Sequence, residues 1–181
     1  MKKLLNEELN RLTVEEFKAS AKIPVVVVLD NIRSLNNIGS AFRTSDAFRV
    51  KAMYLCGITA KPPHRDINKT ALGATESVEW HYFEHTLEAV NQLKSEGYTI
   101  ASVEQTENAV MLNDFSPDEN ASYALVFGNE VKGVEQNIVD NSHFALEIPQ
   151  FGTKHSLNIS VSVGVVLWHF VCKSGWIKTL H

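Results

Sequence analysis

The stretch VVVVLD, Val25–Asp30, decides the fold. Four valines and a leucine leave neither face polar. The segment therefore reads as a strand buried on both sides, the pattern of a parallel sheet. A turn-forming loop, NIRSLNN, follows it. From Asn37 a helix is expected to about Phe48, with Ile38, Ala41, Phe42 and Phe48 as its apolar stripe and Asn36 or Asn37 able to cap it.

The alternation continues outward from this unit. Upstream, Asn6 to Ser20 reads as helical, in one piece or two, because Thr13-Val14-Glu15-Glu16 fits a capping box; Ile23-Pro24 ends it. Downstream, strands are expected at Ala52–Cys56, Val78–Phe83, Tyr98–Val103, Tyr123–Phe127 and Phe144–Ile148. Helices are expected at Asp66–Leu72, at Thr86–Glu96 closed by Gly97, over a turn or two in Gly133–Asn141, and from Ser156 to about Cys172. Asn113 to Asn120 reads as loop. Such a succession defines an α/β domain with a mostly parallel sheet flanked by helices. The expected organisation is an N-terminal helical arm over residues 1–22 and one domain over residues 23–181, with no repeat and no low-complexity segment.

Hydrophobic residues make up 44% of the chain and charged ones 21%, the proportions of an ordinary soluble protein. The most apolar run, Leu157 to Cys172, is broken by Asn158, Ser160, Ser162 and His169, so it does not read as a membrane span. The start, MKKLLNEELNRL, lacks the apolar core of a signal peptide, and a cytoplasmic protein is expected. Cys56 and Cys172 each lie in an apolar stretch and read as buried, reduced thiols. The seven histidines form no H-x-x-x-H or Cys/His cluster, so no metal site is expected. The net charge of −4 is unevenly spread: cations concentrate before Lys69, acids between Glu76 and Asp140. A local basic patch can still steer a nucleic acid to such a chain.

In open parallel sheets ligands bind beyond the carboxyl ends of the strands. Three loops with unusual residues fall at such ends. The first, DNIRSLNNIGSAFR, spaces Asn37, Ser40 and Arg43 by three along one side of the expected helix. The second, FGNEVKG, sets Asn129, Glu130 and Lys132 between Gly128 and Gly133. The third, IPQFGTKHSLNIS, joins a glycine loop to Ser156, which can cap the last helix, and places Asn158 and Ser160 just inside it. That helix carries Leu157, Ile159, Val161, Val163, Val165, Val166 and Trp168 around most of its surface. It is therefore expected to be buried from several sides, part of this being a subunit interface eased by Ser162 and Gly164. No G-x-x-x-x-G-K-[ST] or G-x-G-x-x-G occurs, which removes the usual phosphate loops.

Taken together, the three loops resemble the SpoU (TrmH-like) branch of the SPOUT RNA methyltransferases. The first is similar to its N-x-G-x-x-x-R motif, through Asn37, Gly39 and Arg43. The second is similar to G-[NST]-E-x-x-G, through Gly128, Asn129, Glu130 and Gly133. The third is similar to I-P-x-x-G-x-x-x-S-L-N-V-S, through Ile148, Pro149, Gly152, Ser156, Leu157, Asn158 and Ser160, with Ile159 in place of the valine. KTALGA, Lys69–Ala74, also looks like a segment of this family, and the likeness runs from about Pro24 to Cys172.

The resemblance implies an α/β-knot (SPOUT) domain with a C-terminal trefoil knot. It implies transfer of a methyl group from S-adenosylmethionine to a ribose 2′-hydroxyl of RNA. The cofactor pocket it implies takes in Phe127, Gly128, Asn129, Ile148, Gln150, Ser156 and Leu157. It implies catalytic roles for Arg43, Asn37, Glu130, Ser156 and Asn158, and a homodimer through the last helix, Leu157 to Cys172. A guanidinium is a poor base. Arg43 is therefore assigned to the ribose phosphate, and the other four to orienting Arg43 and the ribose. No membrane partner is expected. The RNA is tRNA or rRNA, and a compact domain with a short arm slightly favours tRNA. A catalytically inactive RNA-binding protein on the same fold and an unrelated nucleotide-binding α/β protein stand beside this reading.

Overall fold

The structure, a computed structural model, describes residues 1–179, so the last two residues of the expected 23–181 domain lie outside the described residues. At its centre is a seven-stranded sheet. In chain order the strands are β1 (Ile23–Asp30), β2 (Val50–Cys56), β3 (Trp80–Phe83), β4 (Thr99–Val103), β5 (Val110–Met111), β6 (Tyr123–Phe127) and β7 (Phe144–Glu147). They lie in the order β3-β2-β1-β6-β4-β7-β5, and every paired register is parallel.

The valine run does what its pattern predicts. β1 is flanked by β2 and β6, with Val27 opposite Met53 on one side and Leu125 on the other. Val25, Val27 and Leu29 enter one core cluster together with Phe42, Val163 and Phe170. Val26 and Val28 enter a second with Val90, Leu93 and Ile138. Successive side chains of a strand point to opposite faces, so both faces of β1 must be covered. The helices that cover them are α1 (Val14–Ala19), α2 (Leu35–Ala47), α3 (Arg65–Ala71), α4 (Ala74–Ser77), α5 (Thr86–Ser95), α6 (Gln136–Asp140) and α7 (Ile159–Lys173).

The N-terminal arm is helical in two pieces. A 3-10 turn spans Asn6–Leu9, and α1 follows behind a complete capping box, in which the Glu16 N–H donates to Thr13 Oγ1 (3.2 Å) and the Thr13 N–H to Glu16 Oε2 (2.8 Å). Two helix starts differ from expectation. α2 begins at Leu35 because Ser34, and neither Asn36 nor Asn37, is its cap; Ser34 Oγ accepts the Asn37 N–H at 3.3 Å. That leaves the Asn37 side chain free to face other loops. α7 begins at Ile159 because Asn158, and not Ser156, is its cap; Asn158 Oδ1 accepts the Ser160 N–H at 2.9 Å and the Ser160 hydroxyl at 2.7 Å. Residues 150–158 are thus irregular. The expected helix at Gly133 starts only at Gln136, since Gly133 turns the chain at φ +71°. The two-residue β5 and the 3-10 turn Leu112–Asp114 were not foreseen; both are too short to show a period.

α7 is not buried from all sides within the chain. Ile159, Val163, Val166, Leu167, Phe170 and Val171 enter the core, while Val161 (49% exposed), Val165 and Trp168 (57%) face outward. Gly164 faces α2 of the same chain, where an added Cβ would lie 3.9 Å from Thr44 Cγ2, an ordinary contact distance. Of the two cysteines, Cys56 is fully buried and its thiol is pushed up to about 12, chiefly by burial and then by the charge of Asp30. Cys172 is exposed on the outer side of α7, contrary to expectation, because a helix apolar on nearly every position gives no sign of which side turns inward. Among the described residues, no helix is long and apolar enough to cross a membrane.

Candidate functional site

The loops that leave β1, β6 and β7 meet beyond the carboxyl edge of the sheet. Their meeting point is Glu130. Its carboxylate accepts the Arg33 N–H (3.0 Å), the Ser34 N–H (3.0 Å) and the Asn37 side-chain amide (3.2 Å). Asn37 Oδ1 in turn accepts the Asn158 side-chain amide at 3.1 Å. One residue from each loop is therefore linked in series, Glu130 to Asn37 to Asn158. Partial burial pushes the Glu130 carboxyl up. The N–H groups of Arg33, of Glu130 itself and of Ser34, with the Asn37 amide, outweigh this and hold it below the usual carboxylate value.

The 128–133 loop is closed on itself by paired backbone bonds between Asn129 and Gly133 (3.0 and 2.9 Å). The Asn129 side chain holds this shape, accepting the Val131 N–H (2.9 Å) and donating to the Asn31 carbonyl (2.7 Å). Gly128 is required by the close return of the chain, since a Cβ there would lie 2.0 Å from the Val134 nitrogen and 2.1 Å from the Gly133 carbonyl carbon. Beneath the loop lies Asp30, fully buried at the end of β1 and receiving the Thr86 hydroxyl (2.5 Å), the Asn31 amide (3.0 Å) and the Glu135 N–H (3.0 Å). Three donors compensate the burial of this carboxylate, and they fix β1 to the loop after β6.

Between the β6 and β7 loops is a cavity of about 500 Å³. Phe127, Gly128, Asn129, Ile148, Gln150, Ser156 and Leu157, the seven residues expected around a cofactor, all line it, together with Glu130 and Asn158. Asn37 stands behind this wall, bonded to two of its members. Ser156 lines the cavity without a hydrogen bond among the described residues. Arg43 does not reach it. Six residues further along α2 than Asn37, about 9 Å, it is exposed and lines a separate groove with Phe48 and Trp168. Its guanidinium makes no hydrogen bond or ion pair among the described residues, and those residues contain no cluster of three or more His, Cys, Asp or Glu able to hold a metal ion.

Two lining residues, Glu104 and Gln105 at the end of β4, escaped the sequence reading. Glu104 Oε2 accepts the Val134 N–H (2.9 Å) and sits where a Cβ on Gly133 would be, while Gln105 Nε2 donates to the His155 carbonyl (2.9 Å). The pair ties the β6 loop and the β7 loop to the strand between them. Their only sign in the sequence is position: they are the first two residues after a strand expected to end at Val103. With Glu104, Glu130 and Glu147 against Lys132 alone, the lining favours a ligand that carries positive charge.

A model of the SpoU rRNA Methylase family matches residues 24–168, and the chain belongs to that family. It is 31% identical over 144 residues to the 23S rRNA (guanosine-2′-O-)-methyltransferase RlmB of Neisseria meningitidis serogroup B, covering 80% of this chain and 56% of that protein. Among solved structures it resembles the A. aeolicus TrmH/SpoU tRNA modifying enzyme (TM-score 0.75, 24% identity, 86% of this chain and 79% of that one). It also resembles an AdoMet-bound rRNA methyltransferase of Sinorhizobium meliloti (TM-score 0.74, 21% identity, 83% of this chain and 59% of that one). The fold is accordingly of the α/β-knot (SPOUT) class. The chain spans a little over half the length of the RlmB relative.

Proposed function

We propose that this chain transfers a methyl group from S-adenosylmethionine to a ribose 2′-hydroxyl of RNA. The observation that carries the reading is the serial link of Glu130, Asn37 and Asn158 across three loops, which builds a wall shared by a cofactor-sized cavity and the first turn of α2. The cavity fits the cofactor. Gly128 leaves room for a ligand to lie against backbone, and the carboxylates Glu104, Glu130 and Glu147 suit a sulfonium cation. Phe127, Ile148 and Leu157 supply apolar contact for an adenine; Gly128, Gln150 and Ser156 supply backbone and side-chain polar groups. The cofactor brings a methyl group activated by positive sulfur.

The ribose oxygen would take that methyl as the methyl–sulfur bond breaks, the sulfur would leave as a neutral thioether, and the hydroxyl proton would pass to water. Holding the two atoms within reach is itself a large part of such a reaction. Asn37 and Asn158 are placed to orient the ribose at the cavity's rim. Arg43, whose planar guanidinium fork matches a phosphate, serves as a phosphate anchor and not as the base. Its exposed place beside Trp168 has a reason if a second copy seats on Val161, Val165 and Trp168, since Arg43 then stands at the subunit boundary. We assign a homodimer through α7 on that ground. Residues 1–22 form an arm and residues 23–181 the catalytic domain, in keeping with a family match that starts at residue 24. Of the two RNA classes we favour tRNA, on the likeness of 86% of this chain to the A. aeolicus TrmH/SpoU tRNA modifying enzyme at a TM-score of 0.75. A cytoplasmic location accords with the buried thiol of Cys56 and with the absence, among the described residues, of a membrane-spanning helix.

The test is transfer of labelled methyl from S-adenosylmethionine into unmodified tRNA and rRNA, with nucleoside analysis. A 2′-O-methylated nucleoside is expected. Cofactor binding without incorporation into either RNA would favour the inactive RNA-binding alternative, and no cofactor binding would overturn the reading.

A further inference from the structure

Charge is unevenly spread along the carboxyl edge of the sheet. The loops after β6 and β4 carry Glu104, Glu107, Glu130 and Glu135 against Lys132, and the β7 loop beyond them carries Lys154. The loops after β1 and β2 carry Arg33 and Lys61, and α3, which follows β2, carries Arg65 and Lys69 against Asp66; Glu84 follows β3. Asp66 is already paired with Lys69 at 2.6 Å. Arg33, Lys61 and Arg65 are exposed and form no ion pair among the described residues. Lys61 lies over the ring of Tyr82 at 4.1 Å, and Tyr82, itself 38% exposed, donates its hydroxyl to the Gly57 carbonyl at 2.9 Å.

This basic half is fixed to the loop that carries Asn37. Ile32 donates its N–H to Thr59 Oγ1 (2.9 Å), and Ile58 donates to Asn31 Oδ1 (3.1 Å). At the far end of the segment Thr70 Oγ1 donates to the Asn36 carbonyl at 3.0 Å. α3 packs so closely on α2 that a Cβ on Gly39 would lie 2.2 Å from the Ile67 carbonyl oxygen. Residues 31–37 are therefore held between the acidic cavity on one side, through Glu130, and the 57–70 segment on the other.

We propose that the surface of Arg33, Lys61 and Arg65, with the Tyr82 ring, is where the RNA backbone docks. The proposal rests on the RNA methyltransferase reading and extends it to the way substrate arrives. A polyanion is repelled by the carboxylates around the cavity and attracted to the adjoining cations. Only the nucleotide at the boundary, beside Asn37, then comes within reach of the cavity. Arginine suits phosphate by its fork of donors, and an exposed aromatic ring suits a base.

The experiment uses a fluorescein-labelled, 20-nucleotide single-stranded RNA of mixed sequence and measures anisotropy across a salt series. The full chain is compared with the triple variant Arg33→Gln/Lys61→Gln/Arg65→Gln. A control, Lys18→Gln/Lys51→Gln, removes exposed cations at the opposite end of the sheet. The slope of log affinity against log salt changes by about 0.7 for each phosphate contact to a single strand, so three lost contacts flatten it by about 2 units. Affinity at roughly 100 mM salt falls about tenfold or more. S-adenosylmethionine affinity, read by calorimetry on the same samples, stays unchanged and shows the variant folded. If the triple variant keeps the wild-type slope and affinity, the docking surface is refuted while RNA binding stands. If the control flattens the slope equally, the surface is refuted as well. If the wild type binds no RNA, the substrate reading fails with it.

Discussion

Replacing Glu130 by Gln tests the clamp that joins the loops. One carboxylate oxygen accepts from Ser34 and Asn37, and the other from Arg33. Gln keeps a single acceptor. If that oxygen serves Ser34 and Asn37, its amide N–H points at the N–H of Arg33. One bond to a charged acceptor is lost and one donor faces another. The residue is exposed, which favours the lower end of the usual range for charged hydrogen bonds, so the cost is about 1–2 kcal/mol. In a chain of this size that lowers Tm by roughly 2–8 °C. Because the folded Glu130 carboxyl lies below its ordinary value, its contribution is complete above about 4.3, the unfolded value. It is lost as pH falls through the lowered folded value. The gap in Tm between wild type and Glu130→Gln, measured by calorimetry, should therefore be widest near neutrality and close on acidification below about 4. Equal melting at pH 7, or a gap that persists unchanged at pH 3, refutes the clamp.

Four further outcomes follow from the same geometry. Arg43→Ala should abolish methyl transfer while cofactor affinity survives; equal loss of both would make Arg43 part of the cofactor pocket. Trp168→Glu should give a monomer by light scattering, and a monomeric wild type would already remove the α7 interface. Gly128→Ala forces a Cβ onto backbone atoms 2.0–2.4 Å away, which cannot give way as a side-chain tip can, so cofactor affinity should fall by at least about tenfold, or 1.4 kcal/mol. Glu104→Gln places an amide near the Val134 N–H and should raise KM for the cofactor with little change in kcat; a fall in kcat alone would mean Glu104 acts at the reacting centre instead.

Much of this was legible in the residues. β1 and β6 are apolar runs whose burial on both faces needs no other cue, and β2, β4 and β7 are readable as apolar runs despite Lys51, Ser102 and Glu147. The seven residues expected around a cofactor do share one cavity, and they were named through the family resemblance of the second and third loops, not through any period. Caps were harder. Ser34, Asn36 and Asn37 are all good caps by residue type, and the choice falls to Ser34 because Asn31, in the left-handed region at φ +57°, turns the chain early enough. Ser156 lost to Asn158 in the same way, since residues 150–158 run irregularly along the cavity before the helix can begin. Glu104 and Gln105 are ordinary residues by type; what gives them a role is that β4 lies between β6 and β7, a strand order no local pattern reveals. The outward side of α7 is hidden because apolar residues occupy both of its sides, so Cys172, expected to be buried, lies exposed.

The cap of α7 makes that helix a lever. Its first anchoring residue, Asn158, is bonded to Asn37 at one end, while Trp168 lies near the other end, on the outer side. A rigid helix transmits axial displacement along its length. Whatever seats against Val161, Val165 and Trp168 therefore bears on the same rod that positions Asn37, and a tilt of α7 at its outer end is felt as a change of alignment at the rim of the cavity. Any contact made on the outer side of α7 and the alignment of the cavity's rim would thus share one mechanical part.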